Sequence, residues 1–221
     1  MRLSLVAAAL VCVASQAHAQ SVDPTIDRAV AAWAKIKTVR GTFEQTVSNT
    51  LTGSTATARG QYAQERPSLL SIRFTQPASD AIVSDGKAVW VYLPSSAPGQ
   101  VLKRPAADRS QTPIDLTGTF LDSPRTKYDI APAAAKTVDG HATHGLVLTP
   151  KSGVAVPFTK ATVWVDDDDA YIREFNVTEE SGISRHIHLT AVEPNAAVPK
   201  SLFSFSIPSG VKVVDQTKQP D

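Results

Sequence analysis

Two neighbouring segments of the chain decide its fold class: IREFNVT at residues 172–178 and SRHIHLTAV at residues 184–192. Apolar and polar residues alternate in both segments. The apolar members are Phe175, Val177, Ile187, Leu189 and Ala191, with Arg185 as the odd member of the second series. Side chains two positions apart on a strand point to the same face of a sheet. The alternation therefore predicts strands with one dry and one wet face, as in an antiparallel sheet.

Similar short strands extend over most of the chain between residues 42 and 192. Turn-forming residues separate them about every dozen residues, as in Ser84-Asp85-Gly86-Lys87. No segment between the strands is long enough for the helical crossovers that a parallel sheet needs. We therefore expect a mainly β protein in which about eleven antiparallel strands form one strongly curved sheet.

Two helical segments accompany the predicted strands. Asp23-Pro24 is a strong helix start, with an N-cap acceptor followed by proline at the first helical position. Apolar residues then recur at helical spacing for about four turns; they are Ile26, Ala29, Val30, Trp33 and Ile36. A second, short apolar-faced helix is predicted within residues 112–121. Both helices would lie across the mouth of the curved sheet.

The N-terminal residues 1–19 have the features of a secretory signal peptide. Arg2 precedes an apolar run, and Ala17-His18-Ala19 provides a small-residue cleavage site. We expect residues 20–221 to form a single exported, soluble domain. The only cysteine, Cys12, would be removed with the signal, so the mature chain would lack disulfides, thiolates and Cys-ligated metals. A secreted domain without disulfides favours a bacterial periplasm.

Composition and motifs exclude several function classes. The 22 basic and 21 acidic residues give a net charge of +1, which argues against a nucleic-acid binder. The chain has no G-x-S-x-G nucleophile motif, because Ser209-Gly210 lacks the first glycine. It also has no phosphate-binding loop of the G-x-x-x-x-G-K-[ST] type. The sequence therefore predicts a protein that is not an enzyme and needs no cofactor.

Two clusters could be read as metal sites. His186 and His188 lie on one face of a predicted strand, the arrangement of an HxH site. The alternative, which we favour, is that they are polar residues on the wet face. The run Asp166–Asp169 lacks the spaced oxygens and glycine of a calcium loop, so we interpret it as the exposed tip of a hairpin. We predict no metal, although the sequence leaves His186 and His188 open.

An ordered set of short motifs covers nearly the whole mature chain. It comprises GTFEQ at residues 41–45, ERP at 65–67, TQP at 75–77, IVSDGK at 82–87, VWVYLP at 89–94, LTP at 148–150 and FSFSIPSGV at 203–211. In this order and spacing the motifs resemble the LolA family of periplasmic outer-membrane lipoprotein carriers. The resemblance implies an incomplete, half-open antiparallel β-barrel of about eleven strands with an α-helical lid.

The resemblance also implies a function and partners. Members of this family shelter the acyl chains of lipoproteins and move them through the periplasm from the inner to the outer membrane. An inner-membrane ABC lipoprotein-releasing transporter would load the carrier, and an outer-membrane acceptor lipoprotein would receive the cargo; we expect a monomer. The alternatives are a periplasmic lipid or lipoprotein sensor, a carrier of another lipid on the same fold, and a metal protein or enzyme using His186 and His188.

Strand alternation indicates which residues would line a lipid cavity. The candidates are Trp33, Ile36, Phe43, Leu70, Ile72, Phe74, Trp90 and Tyr92; the alternative is that they fill a packed core. Arg66 precedes Pro67, which favours an extended backbone at Arg66. The resemblance implies that Arg66 holds the lid shut through hydrogen bonds to helix or loop carbonyls. The alternative is a surface arginine in a turn.

Overall fold

The computed structural model describes residues 22–106 and 117–217. The predicted signal peptide, and residues 112–116 of the predicted second helix, lie outside the described residues. Within these ranges, no helix has both the length and the apolar character needed to cross a membrane.

Strands make up most of the described chain. The first half contains α1 (Val22–Ala34), β1 (Thr38–Asn49), β2 (Thr55–Glu65), β3 (Leu69–Gln76), β4 (Ala78–Asp85), β5 (Ala88–Tyr92) and β6 (Gln100–Pro105). The second half contains α2 (Gly118–Leu121), α3 (Pro124–Lys127), β7 (Tyr128–Val138), β8 (His141–Pro150), β9 (Lys160–Asp166), β10 (Ile172–Thr178), β11 (Ile183–Pro194), a 3₁₀ turn (Lys200–Phe203) and β12 (Lys212–Asp215).

All twelve of these strands belong to one open sheet, in the order β12-β6-β5-β4-β3-β2-β1-β11-β10-β9-β8-β7. Each neighbouring pair is antiparallel except β12 and β6, which run parallel. The end strands β12 and β7 do not pair, so the barrel stays incomplete. The prediction of a mainly β, half-open antiparallel barrel is confirmed. The sequence did not predict β12, which is only four residues long.

The main core lies on the concave face of the sheet, against α1. Helix α1 begins at Val22 and ends at Ala34, close to the predicted bounds. Ile26 and Ala29 are fully buried, and Trp33 is 4 % exposed. The helical spacing of these residues gives α1 one continuous apolar face that packs on the sheet.

A second, smaller core lies on the outer face of β3–β5. The chain after the 3₁₀ turn crosses this face, and Phe203 is buried there together with Val83 and Val101, outside the main core. The Arg73 guanidinium donates to the carbonyl oxygens of Leu202 and Ser204 and so holds the segment in place. These strands are therefore covered on both faces.

The carboxylate run at residues 166–169 lies in the turn between β9 and β10, but it is not simply an exposed tip. Asp166 is 1 % exposed and accepts a hydrogen bond from Arg173 Nε at 2.8 Å. Its neighbour Asp169 also pairs with Arg173. The expectation of an exposed tip is wrong for Asp166, because its carboxylate turns inward to pair with Arg173 from β10.

Candidate functional site

A cavity of about 520 Å³ opens on the concave face of the sheet. Apolar side chains from five strands, from α2 and from the β8–β9 loop contribute to its lining; they include Phe43, Val47, Ile72, Phe74, Ile82, Phe120, Phe158, Phe175, Val177 and Ile187. Sheet registry explains the grouping, since Phe43 pairs with Leu189 and Phe175 with Ile187 across the strands. The cavity lies toward the end of the sheet where β1 and β2 are joined.

Aromatic side chains form the floor and one wall of the cavity. The rings of Phe43 and Phe74 meet edge to face, with centroids 5.5 Å apart. Gly60 lies beside Phe43, and a Cβ there would stand 2.8 Å from ring atoms of Phe43, so only glycine leaves room for this ring. On the wall, Phe120 of α2 contacts Phe158 at 5.8 Å and Phe175 at 5.1 Å between centroids.

The neighbouring part of the concave face, beneath α1, is almost filled. Trp33, Ile36 and Leu70 pack there with Leu121 and Leu189, and a volume of only about 20 Å³ remains among them. Of the eight predicted lining residues, Phe43, Ile72 and Phe74 therefore line the open cavity. Trp33, Ile36 and Leu70 instead fill the space under α1, as the packed-core alternative anticipated.

Trp90 and Tyr92 do not line the cavity, and this part of the prediction is wrong. Both point to the outer face of β5, where their ring centroids lie 5.7 and 5.8 Å from that of Phe205. Trp90 Nε1 also donates to Asp85 Oδ2 at 3.0 Å. Because both faces of β5 are covered, apolar alternation could not indicate which face turns inward.

Arg66 lies where the ends of α1 and α2 meet. Its Nη1 donates to the carbonyl oxygen of Trp33 at 2.9 Å and to that of Ile36 at 3.3 Å. Its Nη2 lies 3.6 Å from Asp122 Oδ1, which also accepts a hydrogen bond from Trp33 Nε1 at 3.0 Å. The last carbonyls of a helix lack intrahelical partners, and a planar guanidinium can satisfy several of them. The side chain thus makes the kind of contact that the family resemblance implied.

Two further contacts hold the N-terminal half of α1. Arg28 donates through Nη2 to the carbonyl oxygens of Asp166 and Asp167 in the β9–β10 turn. Asp27 accepts two hydrogen bonds from Arg125 of α3, at 2.9 and 3.3 Å. Helix α1 is therefore fixed by polar contacts along its length, in addition to its buried apolar face.

Charged and polar groups stand at the open end of the cavity. On β11, Arg185 Nε donates to Glu179 Oε1 at 2.7 Å. On the opposite rim, the Asp80 carboxylate accepts from Ser95 N at 3.1 Å and from Ser95 Oγ at 2.5 Å. The sequence marked Arg185 as an exception within an apolar series but did not predict that it belongs to a site.

His186 and His188 lie on the outer face of the sheet and pair with different carboxylates. His186 Nε2 lies 2.5 Å from Glu174 Oε1, and His188 Nε2 lies 2.7 Å from Asp139 Oδ2. Burial disfavours a charged Glu174, but hydrogen bonds from Lys136 and His186 hold its pKa below the ordinary value. The two histidines therefore contact separate carboxylates and do not share a site.

A different group of residues in the described chain comes close enough to share an ion. Ligand atoms of His141, Asp166 and Asp168 lie within 4.8 Å of one another. However, the Arg173 guanidinium already binds Asp166. Burial disfavours ionisation of Asp166, while hydrogen bonds from the Asp168 amide and from Arg173 lower its pKa. The guanidinium supplies the positive charge that a cation would bring.

Comparison with known proteins agrees with the architecture. Residues 34–206 match the family model described as "Outer membrane lipoprotein carrier protein LolA". The outer-membrane lipoprotein carrier proteins of Klebsiella pneumoniae (strain 342) and Salmonella paratyphi B (strain ATCC BAA-1250 / SPB7) are each 30 % identical to the chain over 186 residues. These alignments cover 83 % of this chain and 84 % of each relative.

A solved structure shares the fold at low sequence identity. The crystal structure of an uncharacterized conserved protein from Thermus thermophilus aligns with a TM-score of 0.50 and 14 % identity, covering 89 % of this chain and 100 % of that one. The family match extends over most of the sequence, and it includes the strands that line the cavity. The resemblance seen in the sequence is thus confirmed, and the chain belongs to the LolA family of outer membrane lipoprotein carrier proteins.

Proposed function

We propose that this protein is a periplasmic carrier, or chaperone, that shelters the acyl chains of lipoproteins and moves them from the inner to the outer membrane. The observation that carries the proposal is the apolar cavity of about 520 Å³ on the concave face. Family membership supports it, because the relatives are named outer-membrane lipoprotein carrier proteins.

The physical need for a carrier follows from the hydrophobic effect. A triacylated lipoprotein has on the order of 45 methylenes, and each costs about 0.8 kcal/mol in water, giving an upper bound of roughly 35 kcal/mol. Unassisted transfer between two membranes is therefore too slow to be useful. A concave apolar surface that replaces water around the chains removes most of this cost.

The cavity in its present state is smaller than such a cargo needs. Its volume of about 520 Å³ lies in the range of about 300–1,000 Å³ that suits one drug-sized ligand. Movement of α1 away from the sheet would add the apolar surface of Leu70 and Leu189 to the cavity. We therefore assign the contacts of Arg66 a role in holding the closed state, and their release a role in loading.

The remaining parts of the proposal concern location and partners. Residues 1–19 direct export, and the mature chain of residues 20–221 works as a monomer in the periplasm without a cofactor. An inner-membrane ABC lipoprotein-releasing transporter loads it, and an outer-membrane acceptor lipoprotein takes the cargo. Direction then comes from tighter binding by the acceptor, since this chain contains no nucleotide-binding motif.

Release of lipoproteins from spheroplasts tests the proposal. Inner-membrane spheroplasts are incubated with the purified mature protein, and lipoproteins in the soluble fraction are identified by mass spectrometry. We expect release with the wild type and at least a tenfold lower yield with Phe74→Asp, because a carboxylate on the cavity floor is costly to bury against acyl chains. The matched control is Ile207→Asp, which adds the same charge at an exposed residue outside the cavity.

Two results would contradict the proposal. One is equal release by the wild type and Phe74→Asp, provided circular dichroism shows that both are folded. The other is that mass spectrometry of the purified protein finds only free glycolipid or another small lipid, and that no lipoprotein is ever released. The second result would support the alternative of a sensor or carrier for a different lipid.

A further inference from the structure

Arg185 is the charged member of an otherwise apolar row on the cavity side of β11. Ile187 and Leu189 continue the row along the strand. Its cross-strand neighbours are Val47 of β1 and Val177 of β10, and both also line the cavity. A charge at such a position carries a desolvation cost, so polar partners must compensate for it.

Glu179 satisfies only part of the Arg185 guanidinium. Arg185 Nε donates to Glu179 Oε1 at 2.7 Å, and the other carboxylate oxygen of Glu179 accepts from Ser181 Oγ at 3.2 Å. Among the described residues, no protein acceptor lies within hydrogen-bond distance of the Arg185 Nη1 and Nη2 groups. The side chain is 31 % exposed, at the open end of the cavity. Its terminal N–H groups are thus available to a ligand.

The surroundings of Arg185 favour a neutral acceptor over an anion. The Glu179 carboxylate already balances the charge of the guanidinium, and it would repel a second carboxylate or a phosphate close by. A carbonyl oxygen accepts a hydrogen bond from a guanidinium without adding charge. On the opposite rim, the Asp80 oxygens are both engaged by Ser95. Among the described residues that line the cavity, Arg185 is the one cationic donor.

We propose that Arg185 binds the ester or amide carbonyl oxygens that link acyl chains to their headgroup, and that Glu179 disfavours anionic lipids at the same place. The inference rests on the proposed function and adds a basis for selection. Acyl chains would lie against Val47, Val177 and Ile187, with their linkage at the mouth. Neutral acyl linkages would then bind better than fatty-acid or phosphate headgroups.

Two matched pairs of ligands test this inference. Displacement of N-phenyl-1-naphthylamine fluorescence is measured at pH 7 with 1-monopalmitoylglycerol and with 1-O-hexadecylglycerol, which has an ether in place of the ester carbonyl. We expect the wild type to bind the ester about tenfold more tightly, as a hydrogen bond from a charged donor implies. Palmitate, the anionic ligand, should bind more weakly than the ester.

Variants distinguish the role of Arg185 in binding from that of Glu179. Arg185→Met removes every N–H donor and should make ester and ether equal. Glu179→Gln should raise the affinity for palmitate about tenfold while leaving the ester preference intact. The double variant Arg185→Met/Glu179→Gln leaves no unpaired charge, so the ester preference can be measured even if Arg185→Met unfolds. Arg59→Met is the matched control, because Arg59 forms a comparable ion pair with Glu44 at exposed positions outside the cavity lining.

The outcomes distinguish the inference from the proposed function. Equal binding of ester and ether by the wild type, or an ester preference that survives in the double variant, would refute the role of Arg185 and leave the carrier function standing. Failure of every acyl ligand to displace the probe, together with no lipoprotein release from spheroplasts, would refute both.

Discussion

The two parts of the concave face are built from the same kind of strand residues but end in different states. Beneath α1, Leu70 and Leu189 meet Trp33 and Leu121, and about 20 Å³ remains. Beyond Phe120, the sheet keeps a cavity of about 520 Å³. The difference comes from α1, which supplies side chains to the filled part but none to the lining of the open cavity.

On this one surface, the filled part under α1 mainly stabilises the fold, and the open part is where a ligand can bind. A buried large apolar side chain contributes about 1.5–3 kcal/mol to the folded state, so residues under α1 stabilise the fold. Some residues of the open part, such as Phe74 and Val177, are only partly buried, and they contribute less until a ligand covers them. Substitutions under α1 should therefore mainly lower the free energy of unfolding, whereas substitutions in the open part should mainly weaken ligand binding.

The largest expected effect is in the filled part. Trp33→Ala should lower the free energy of unfolding by about 3–5 kcal/mol, because it leaves a cavity under α1. It also removes the hydrogen bond to Asp122 and the ring under Arg66. Urea denaturation followed by circular dichroism measures this loss. Phe74→Ala is the comparison in the open part, where we expect about 1 kcal/mol; equal losses would contradict the distinction.

An intermediate effect is expected where α1 meets α2. Arg66→Leu should weaken closure while leaving the fold intact, because Trp33 and Ile36 lose the donor for their carbonyls and Asp122 loses a cation. We expect hydrogen exchange of α1 amides to rise about tenfold, from the loss of hydrogen bonds to a charged donor. Transfer of cargo from the loaded Arg66→Leu variant to outer membranes should fall.

Arg66→Lys is the control for this prediction. It keeps the charge but cannot reach several acceptors with a planar fork, so we expect an effect between those of the wild type and Arg66→Leu. Unchanged transfer by Arg66→Leu would remove the lid role of Arg66 and return it to a structural contact.

The smallest expected effect is on the free energy of unfolding at acidic pH. Burial disfavours ionisation of Asp166, but its hydrogen bonds with the Asp168 amide and Arg173 lower its pKa in the folded state. A lowered carboxyl pKa stabilises the fold above the unfolded-state pKa, and this stability is lost as pH falls below about 4. Asp166→Asn should therefore cost about 1–2 kcal/mol at pH 7 and less at pH 3.

Urea denaturation of the wild type and of Asp166→Asn at both pH values measures this difference. Asp129→Asn is the control, because Asp129 is largely exposed and its nearest cation, on Lys151, is 4.0 Å away. If the difference in the free energy of unfolding between the wild type and Asp166→Asn is the same at pH 7 and pH 3, the lowered pKa of Asp166 does not contribute to stability.

Local patterns predicted the parts of the fold in which one face is wet. The alternation in β10 and β11 and the helical spacing in α1 were sufficient, because polar residues mark the outside. The same reasoning failed for Trp90 and Tyr92, where the segment that contains Phe205 covers the outer face and makes both faces of β5 apolar. Which face turns inward there depends on a contact between residues more than a hundred positions apart.

The cavity was harder to predict than the sheet. Phe158 comes from a loop, so no periodicity marks it. Phe120 lies within the predicted short helix, but no strand pattern indicates which part of the sheet that helix covers. Whether aligned apolar residues enclose space or fill it depends on where α1 and α2 end, which strand patterns do not contain. The contact made by Arg66 was implied by family resemblance alone, since the dipeptide Arg66-Pro67 gives no sign of its acceptors.

The two edge strands of the open sheet, β12 and β7, are protected from pairing with further strands in different ways. At one margin, the end strand β12 is only four residues long; at the other, Pro132 removes one amide donor from β7. Exposed strand margins recruit further strands and promote aggregation. The short β12 and Pro132 therefore both limit edge-to-edge pairing between copies of the chain while the sheet stays open.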